Sequence, residues 1–358
     1  MSTLLISSRA WFAQQTSLAE LVDGIMAAHR RREWSEPPGP ALLLLPVSAD
    51  APLQSIDVLR DALGETARRH GICIAGAVRV HTGDPGAFIT AGFLCDAEGE
   101  LRLITHKRSP DLVAGVIDGA TLAGDAAPHA AVATPLGQIA VLPGEDVLFP
   151  HLVRAAVFGG AEMILNPAVE TNDPLAKSRR VARCARAWEN TAFLAATSAA
   201  DAAAGQISTG LLVDWNGIEQ EPAAQDGLLF FDIDIERMRR RRDSIFAVQP
   251  LHLRAKLYAD GYRRLMDDDR AALSSPAPAS RVEWQGEAAR RLAARTPPAR
   301  PQGFTEQYDV ILAQTVTRII QRESDVVGQR MENIRAALKL AGRLAGNPGS
   351  KLVVFGEF

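Results

Sequence analysis

An α/β fold is predicted, in which strands alternate with helices that cover a sheet. Short apolar runs of strand length recur along the chain, and amphipathic stretches with helical spacing lie between them. The run Ala41 to Leu45, ALLLL, is apolar at every position, which marks a strand buried on both faces rather than on one.

Taken in order, Leu4 to Ser7 reads as a strand, Leu18 to Arg32 as a helix, and Ala41 to Pro46 as the fully apolar strand. A second helix is expected over Ile56 to His70, then paired strands over Ile72 to Val80 and Ala87 to Cys95. From about Asp267 to Gln307 the texture changes. The stretches SSPAPAS from Ser274 and TPPARP from Thr296 are rich in proline and lack apolar periodicity, so 267–307 reads as a linker. Beyond it, Tyr308 to Thr315 and Lys351 to Phe358 read as strands, and Arg330 to Leu344 has helical periodicity.

Composition narrows the function classes. A chain of 358 residues can bury a large core and has room for more than one domain. A formal charge of -3 gives no electrostatic reason to bind nucleic acid or an anionic membrane. No apolar run approaches the length of a bilayer span, and Met1 to Phe12 lacks the basic start and apolar core of an export signal. Cys73, Cys95 and Cys184 make neither a disulfide framework nor a metal-ligand spacing, which fits a reducing cytoplasm. The seven histidines are scattered, so no metal site is expected. The pair Gly159-Gly160 completes no phosphate-binding loop. The arginine-rich run Arg237 to Arg242 follows Asp232, Asp234 and Glu236 and reads as a solvated helix start.

One segment carries more information than the rest. Gly137 to Arg154 reads GQIAVLPGEDVLFPHLVR and resembles the nucleophile segment of the nitrilase superfamily, the carbon-nitrogen hydrolases. That segment runs roughly G-R-I-G-x-x-I-C-Y-D-x-x-F-P-E-L-x-R, which sets Gly144 at the nucleophilic cysteine and Glu145 at the tyrosine after it. Four further segments extend the resemblance in order. Asp96 to Arg108 resembles the lysine segment, with Lys107 at the catalytic lysine; Ala161 to Ala168 is similar to the strand after the nucleophile helix; Arg186 to Asn190, RAWEN, matches an R-A-x-E-N helix. Ile207 to Gly217, with Gly227 to Ile235, resembles the hairpin that closes the fold.

The resemblance implies a four-layer α-β-β-α sandwich over residues 1–266, with no cofactor. It also implies that 308–358 is the truncated start of a second copy, with Gln314 at the early glutamine, Asn333 in the first helix and Glu357 at the catalytic glutamate. In the first copy the corresponding acid position is Val47. The alternative is that the tail docks on the first domain as an extra element.

Family chemistry needs a thiolate nucleophile, a glutamate that moves protons and a lysine that stabilises the charge on the tetrahedral intermediate. Of these the first copy keeps only Lys107, and Glu357 belongs to the incomplete second copy. Glu145 could substitute as an acid, but a solvated or capping carboxylate on a turn is the plainer expectation. Cys184 lies mid-helix, where a buried, inert thiol is expected, and Cys73 and Cys95 fall in apolar strands. The leading expectation is therefore an inactive domain of a tandem amide or nitrile hydrolase. Its partners would be a homo-oligomeric or intramolecular second copy, since family members associate through a helical face. The alternative is a stand-alone pseudoenzyme that binds a small amide or nitrile ligand, or a protein, without turnover.

Overall fold

This computed structural model describes residues 2–11, 17–31, 41–48, 52–81, 88–109, 130–202, 205–225 and 228–244, together with 259, 290, 309–313, 331–332, 334–336, 338–339 and 351–355. The chain divides into two compact units, Met1–Glu287 and Ala288–Phe358.

The first unit begins with β1 (Ser2–Ser7), α1 (Ser17–Arg31) and β2 (Ala41–Val47). A 3-10 turn (Ile56–Leu59) runs into α2 (Arg60–His70), followed by β3 (Cys73–His81), β4 (Phe88–Cys95) and β5 (Leu101–His106). Then come β6 (Val132–Thr134), β7 (Gly137–Val141), a 3-10 turn (Gly144–Leu148), α3 (Pro150–Phe158), β8 (Met163–Pro167), α4 (Ala176–Asn190) and β9 (Phe193–Ser198). The unit's last described elements are β10 (Thr209–Val213), β11 (Ala223–Gln225), β12 (Leu228–Ile233) and α5 (Ile235–Arg242).

The strands form a seven-stranded sheet, β11-β12-β1-β2-β3-β4-β5, and a five-stranded sheet, β10-β9-β8-β7-β6. β1, β2 and β3 are parallel neighbours, as are β7, β8 and β9, and the outer strands of each sheet are antiparallel. Parallel pairs need crossovers, and the helices supply them.

Period-two alternation sorts the side chains into layers. Leu42 and Leu44 of β2 join Leu4, Ile6, Ile139, Val141, Met163, Leu165 and Phe193 in one core between the sheets. Leu43 and Leu45 point the other way, against Val22 and Ile25 of α1 and Leu63 and Ala67 of α2. On the far side, Ala140, Ile164 and Leu194 pack against Val153 and Ala156 of α3 and Ala187 of α4. The order is therefore helix, sheet, sheet, helix. Both faces of β2 are covered, which is why its sequence shows no polar position.

Local chemistry fixes the ends of α2. The Ser55 hydroxyl caps the preceding 3-10 turn by accepting from the Asp57 amide, and Gly71 closes the helix at φ +63°, a left-handed conformation that glycine adopts without steric cost. The last turn carries Arg68, Arg69 and His70 against the negative end of the helix dipole. His70 also crosses to Asp23 of α1 at 2.6 Å, tying the two outer helices together.

Two sequence expectations need correction. The segments 207–217 and 227–235 do not pair as one hairpin. β10 pairs with β9 in the five-stranded sheet, whereas β12 pairs with β1 in the other and makes its hairpin with β11. The Arg237 to Arg242 run is only partly solvated. Met238 is fully buried, Arg239 ion-pairs with Glu162, and Arg242 donates to the carbonyls of Ala161 and Thr191 at 2.8 Å each. The guanidinium of Arg237 lies 5.8 Å from the Trp215 ring centroid.

In the second unit, β13 (Asp309–Ala313) and β14 (Lys351–Phe355) pair in parallel, from Asp309↔Lys351 to Ala313↔Phe355. Residues 331–332, 334–336 and 338–339 between them are helical. Gln314, Asn333 and Glu357 lie outside the described residues, as does nearly all of 267–307.

Candidate functional site

Two chain segments meet at the sequence-predicted site. Lys107 follows β5 directly, and its amide donates to the Thr90 carbonyl at 2.8 Å, which continues the β4–β5 ladder by one step. Gly144 follows β7 after Leu142 and Pro143 and opens the 3-10 turn that leads into α3. Pro150 takes the first position of that helix, where a missing N–H costs nothing. Strand, sharp turn and helix thus follow within fourteen residues, Gly137 to Pro150, and the turn stands at φ +61° at Gly144.

The structure brings Lys107 and Gly144 into contact. A Cβ built on Gly144 would lie 2.7 Å from Lys107 Cε and 3.1 Å from Cδ, so the lysine stem fills the space in which a side chain at 144 would begin. The ammonium goes to the next residue, with Lys107 Nζ 2.8 Å from Glu145 Oε2. Both side chains are buried, at 3% and 7% relative exposure. Nζ makes no aligned hydrogen bond among the described residues, so the contact is an ion pair rather than a directed bond. Glu145 is therefore not the solvated or capping carboxylate that its place on a turn suggests. It is turned inward because the lysine offers the opposite charge where water does not reach.

A second carboxylate secures the lysine's flank. Asp146, fully buried, accepts the Arg108 amide at 3.0 Å and the Ser109 amide at 2.6 Å, which pins the chain immediately after Lys107 to the turn.

Behind the turn lies a buried polar relay. Asn166, at 0% exposure in β8, donates through Nδ2 to the Leu142 carbonyl at 2.7 Å and to the Gly144 carbonyl at 2.8 Å. Its Oδ1 accepts from Arg183 Nε of α4 at 3.0 Å, and Arg183 also pairs with Glu170. Arg179, one turn earlier on α4, binds the other oxygen of Glu170 at 2.8 Å and reaches Asp173. The Asn166 amide nitrogen and oxygen, Arg183 Nε and Nη2 and both Glu170 carboxylate oxygens each have a partner, the condition under which buried charge is tolerated.

The remaining candidates stand apart from nucleophilic chemistry. Val47 ends β2 as a buried apolar residue, with the neighbouring strand end braced by the Trp11 indole donating to the Pro46 carbonyl at 2.8 Å. Cys184 donates its thiol toward Glu219 at 3.7 Å; burial and that carboxylate push its pKa up. Burial also raises Cys73 and pushes Cys95 up to about 12. A thiol held protonated is a poor nucleophile. Glu357 lies outside the described residues.

Sequence reasoning did not find Asn166, Arg183, Glu170 or Asp146 as parts of the site. Asn166 had a signal, a polar residue inside the otherwise apolar strand MILNP, which must be satisfied if buried.

A four-layer sandwich with a lysine beside a strand-turn-helix elbow defines the class of the nitrilase-like proteins. The sequence matches the family described as carbon-nitrogen hydrolase over residues 44–243, more than half of the 358 residues. The chain belongs to the carbon-nitrogen hydrolase family.

Solved structures agree on the fold. A carbon-nitrogen hydrolase from Helicobacter pylori G27 is 14% identical with a TM-score of 0.59, covering 73% of this chain and 98% of that one. An amidase from Nesterenkonia sp. is 21% identical with a TM-score of 0.55, covering 73% of this chain and 96% of its own. A glutamate-to-glutamine variant of an amidase from Nesterenkonia sp. AN1 is likewise 21% identical with a TM-score of 0.55, and covers 72% and 96%. That variant carries the acetamide moiety of fluoroacetamide bound covalently to its active-site cysteine. No curated protein sequence matches.

Proposed function

We propose that this chain is a catalytically silent carbon-nitrogen hydrolase domain, the structural partner in a tandem amide or nitrile hydrolase whose active centre lies in another copy of the fold. The observation that carries the reading is the elbow itself. Gly144 offers no nucleophile, and the Lys107 ammonium 2.8 Å from Glu145 is engaged rather than free for a developing oxyanion. Val47 at the acid's place carries no proton, and removing both nucleophile and base from a unit that acts together abolishes covalent catalysis.

Partnership with a second copy is supported by the outer helical layer. Phe158 of α3 and Val181 and Trp188 of α4 are large apolar side chains at about half exposure, on helices whose other faces are buried. The parallel β13–β14 pair with helical residues between its strands fits the opening of the second copy.

Simple aliphatic amides and nitriles, incubated with the purified chain, test the reading. Release of ammonia at the buffer rate is expected. Thiol-dependent turnover that Cys184→Ser abolishes would overturn it.

A further inference from the structure

We propose that Lys107 anchors a small-carboxylate site that the chain fills itself, with Glu145 as the tethered occupant. Three observations converge on it. The lysine side chain is 97% out of solvent contact and its ammonium has no aligned hydrogen-bond partner among the described residues. Among the described residues the carboxylate oxygen beside it, at 2.8 Å, comes from the residue next to the elbow glycine. The lysine stem lies over Gly144, with Nζ 3.7 Å from the place of a Cβ there, so a residue without a side chain at 144 leaves the ammonium room to reach the carboxylate.

A buried cation, paired among the described residues with Glu145, demands an anion in contact with it. Desolvating the ammonium costs several kcal/mol, and only an anion in contact offsets it. Tethering gives the Glu145 carboxylate an effective concentration in the millimolar range or above, so a free acid at low concentration does not displace it. In the intact chain the site is consequently closed to outside ligands, including any amide that would have to lie against Lys107. The inference stands on the geometry of the ion pair and not on the absence of turnover, so its test reads a different quantity.

Truncating Glu145 to alanine removes a methylene and a carboxylate, the atoms that acetate supplies. The experiment compares thermal unfolding of the wild type, Glu145→Ala and the double variant Lys107→Met/Glu145→Ala in sodium acetate of about 10–100 mM against sodium chloride of equal ionic strength. Acetate is expected to raise the midpoint of Glu145→Ala by about 2–4 °C, as a ligand present at several times its dissociation constant does. The wild type and the double variant should show no acetate-specific change.

An equal rise in all three proteins, or none in Glu145→Ala, overturns the proposal. If Glu145→Ala does not fold in buffer, the same comparison is read as refolding yield from denaturant. A higher yield in acetate than in chloride for that variant alone supports the site, and equal yields overturn it.

Discussion

At position 144 the backbone stands at φ +61° and the Lys107 stem occupies the place of a Cβ. Both facts bear on the apparent repair of the elbow, Gly144→Cys. A side chain there meets left-handed strain of about 1–2 kcal/mol. It must also displace a buried lysine held by its ion pair, an overpacking cost of about 1–3 kcal/mol. Gly144→Cys is therefore expected to lower the free energy of unfolding by about 2–5 kcal/mol in urea titration. It should gain no amide turnover, since Glu145 still holds Lys107. A stable and active Gly144→Cys would show that lysine and glutamate part readily.

Asn166 gives the complementary case. Asn166→Ala strands the buried Leu142 carbonyl, the part-buried Gly144 carbonyl and one side of the buried Arg183, and should cost about 2–4 kcal/mol in the same measurement.

Gly144 and Lys107 were legible only through the resemblance of Gly137 to Arg154 and Asp96 to Arg108 to the nucleophile and lysine segments of the nitrilase superfamily. The Glu145 pair was not. Sequence adjacency does not say which way a turn residue points, and a carboxylate turns inward only when a cation from a distant strand is already buried there.

Among the elements, α5 shows how charge and packing combine. Met238, at 0% exposure, anchors it, and Met238→Ala should destabilise by about 2–5 kcal/mol in calorimetry or urea titration. Glu162 supplies the polar anchor. Burial pushes its carboxyl up, but the Arg239 hydrogen bond, the Gln138 amide and the charges of Arg239 and Arg242 outweigh it, so the pKa lies below its ordinary value. A depressed carboxylate contributes stability that is complete above its unfolded pKa and is lost as pH falls through the folded one. The stability difference between the wild type and Glu162→Gln should thus be constant from about pH 8 to 5 and shrink below about pH 4. A difference that grows on acidification would contradict the assignment.

Strands β1, β2 and β8 were readable because burial on both faces leaves continuous apolar runs. The misassigned hairpin failed for the opposite reason. β10 and β12 are near in sequence and have ordinary strand composition, and nothing local states that the chain crosses from one sheet to the other between them. The helical character of 235–242 was legible, but its two bound arginines were not, since their partners Glu162, Ala161 and Thr191 come from elsewhere in the chain.

For the whole molecule, the four layers account for a first unit with its own three cores, and this sets an expectation for proteolysis. Brief trypsin treatment should cut first within 267–307, where arginines are frequent and apolar periodicity is lacking. The large fragment should retain the cooperative unfolding of the intact chain, followed by circular dichroism. Loss of the whole fold on removal of 308–358 would make the tail integral to the first unit.

The pairing of β1 with β12 also sets an order in time. Ser2 meets Ile233 and Ser7 meets Leu228, so β1 is synthesised long before one of its two neighbours in the sheet. At about 5–20 residues per second a ribosome takes on the order of 10–50 s to make the intervening chain. Throughout that interval Leu4, Leu5 and Ile6 belong to an open strand edge, the kind of surface that pairs with other chains. Nascent chains halted before Leu228 should accordingly be the species that aggregates or engages chaperones, and those extended past Ile233 should be the first to resist protease.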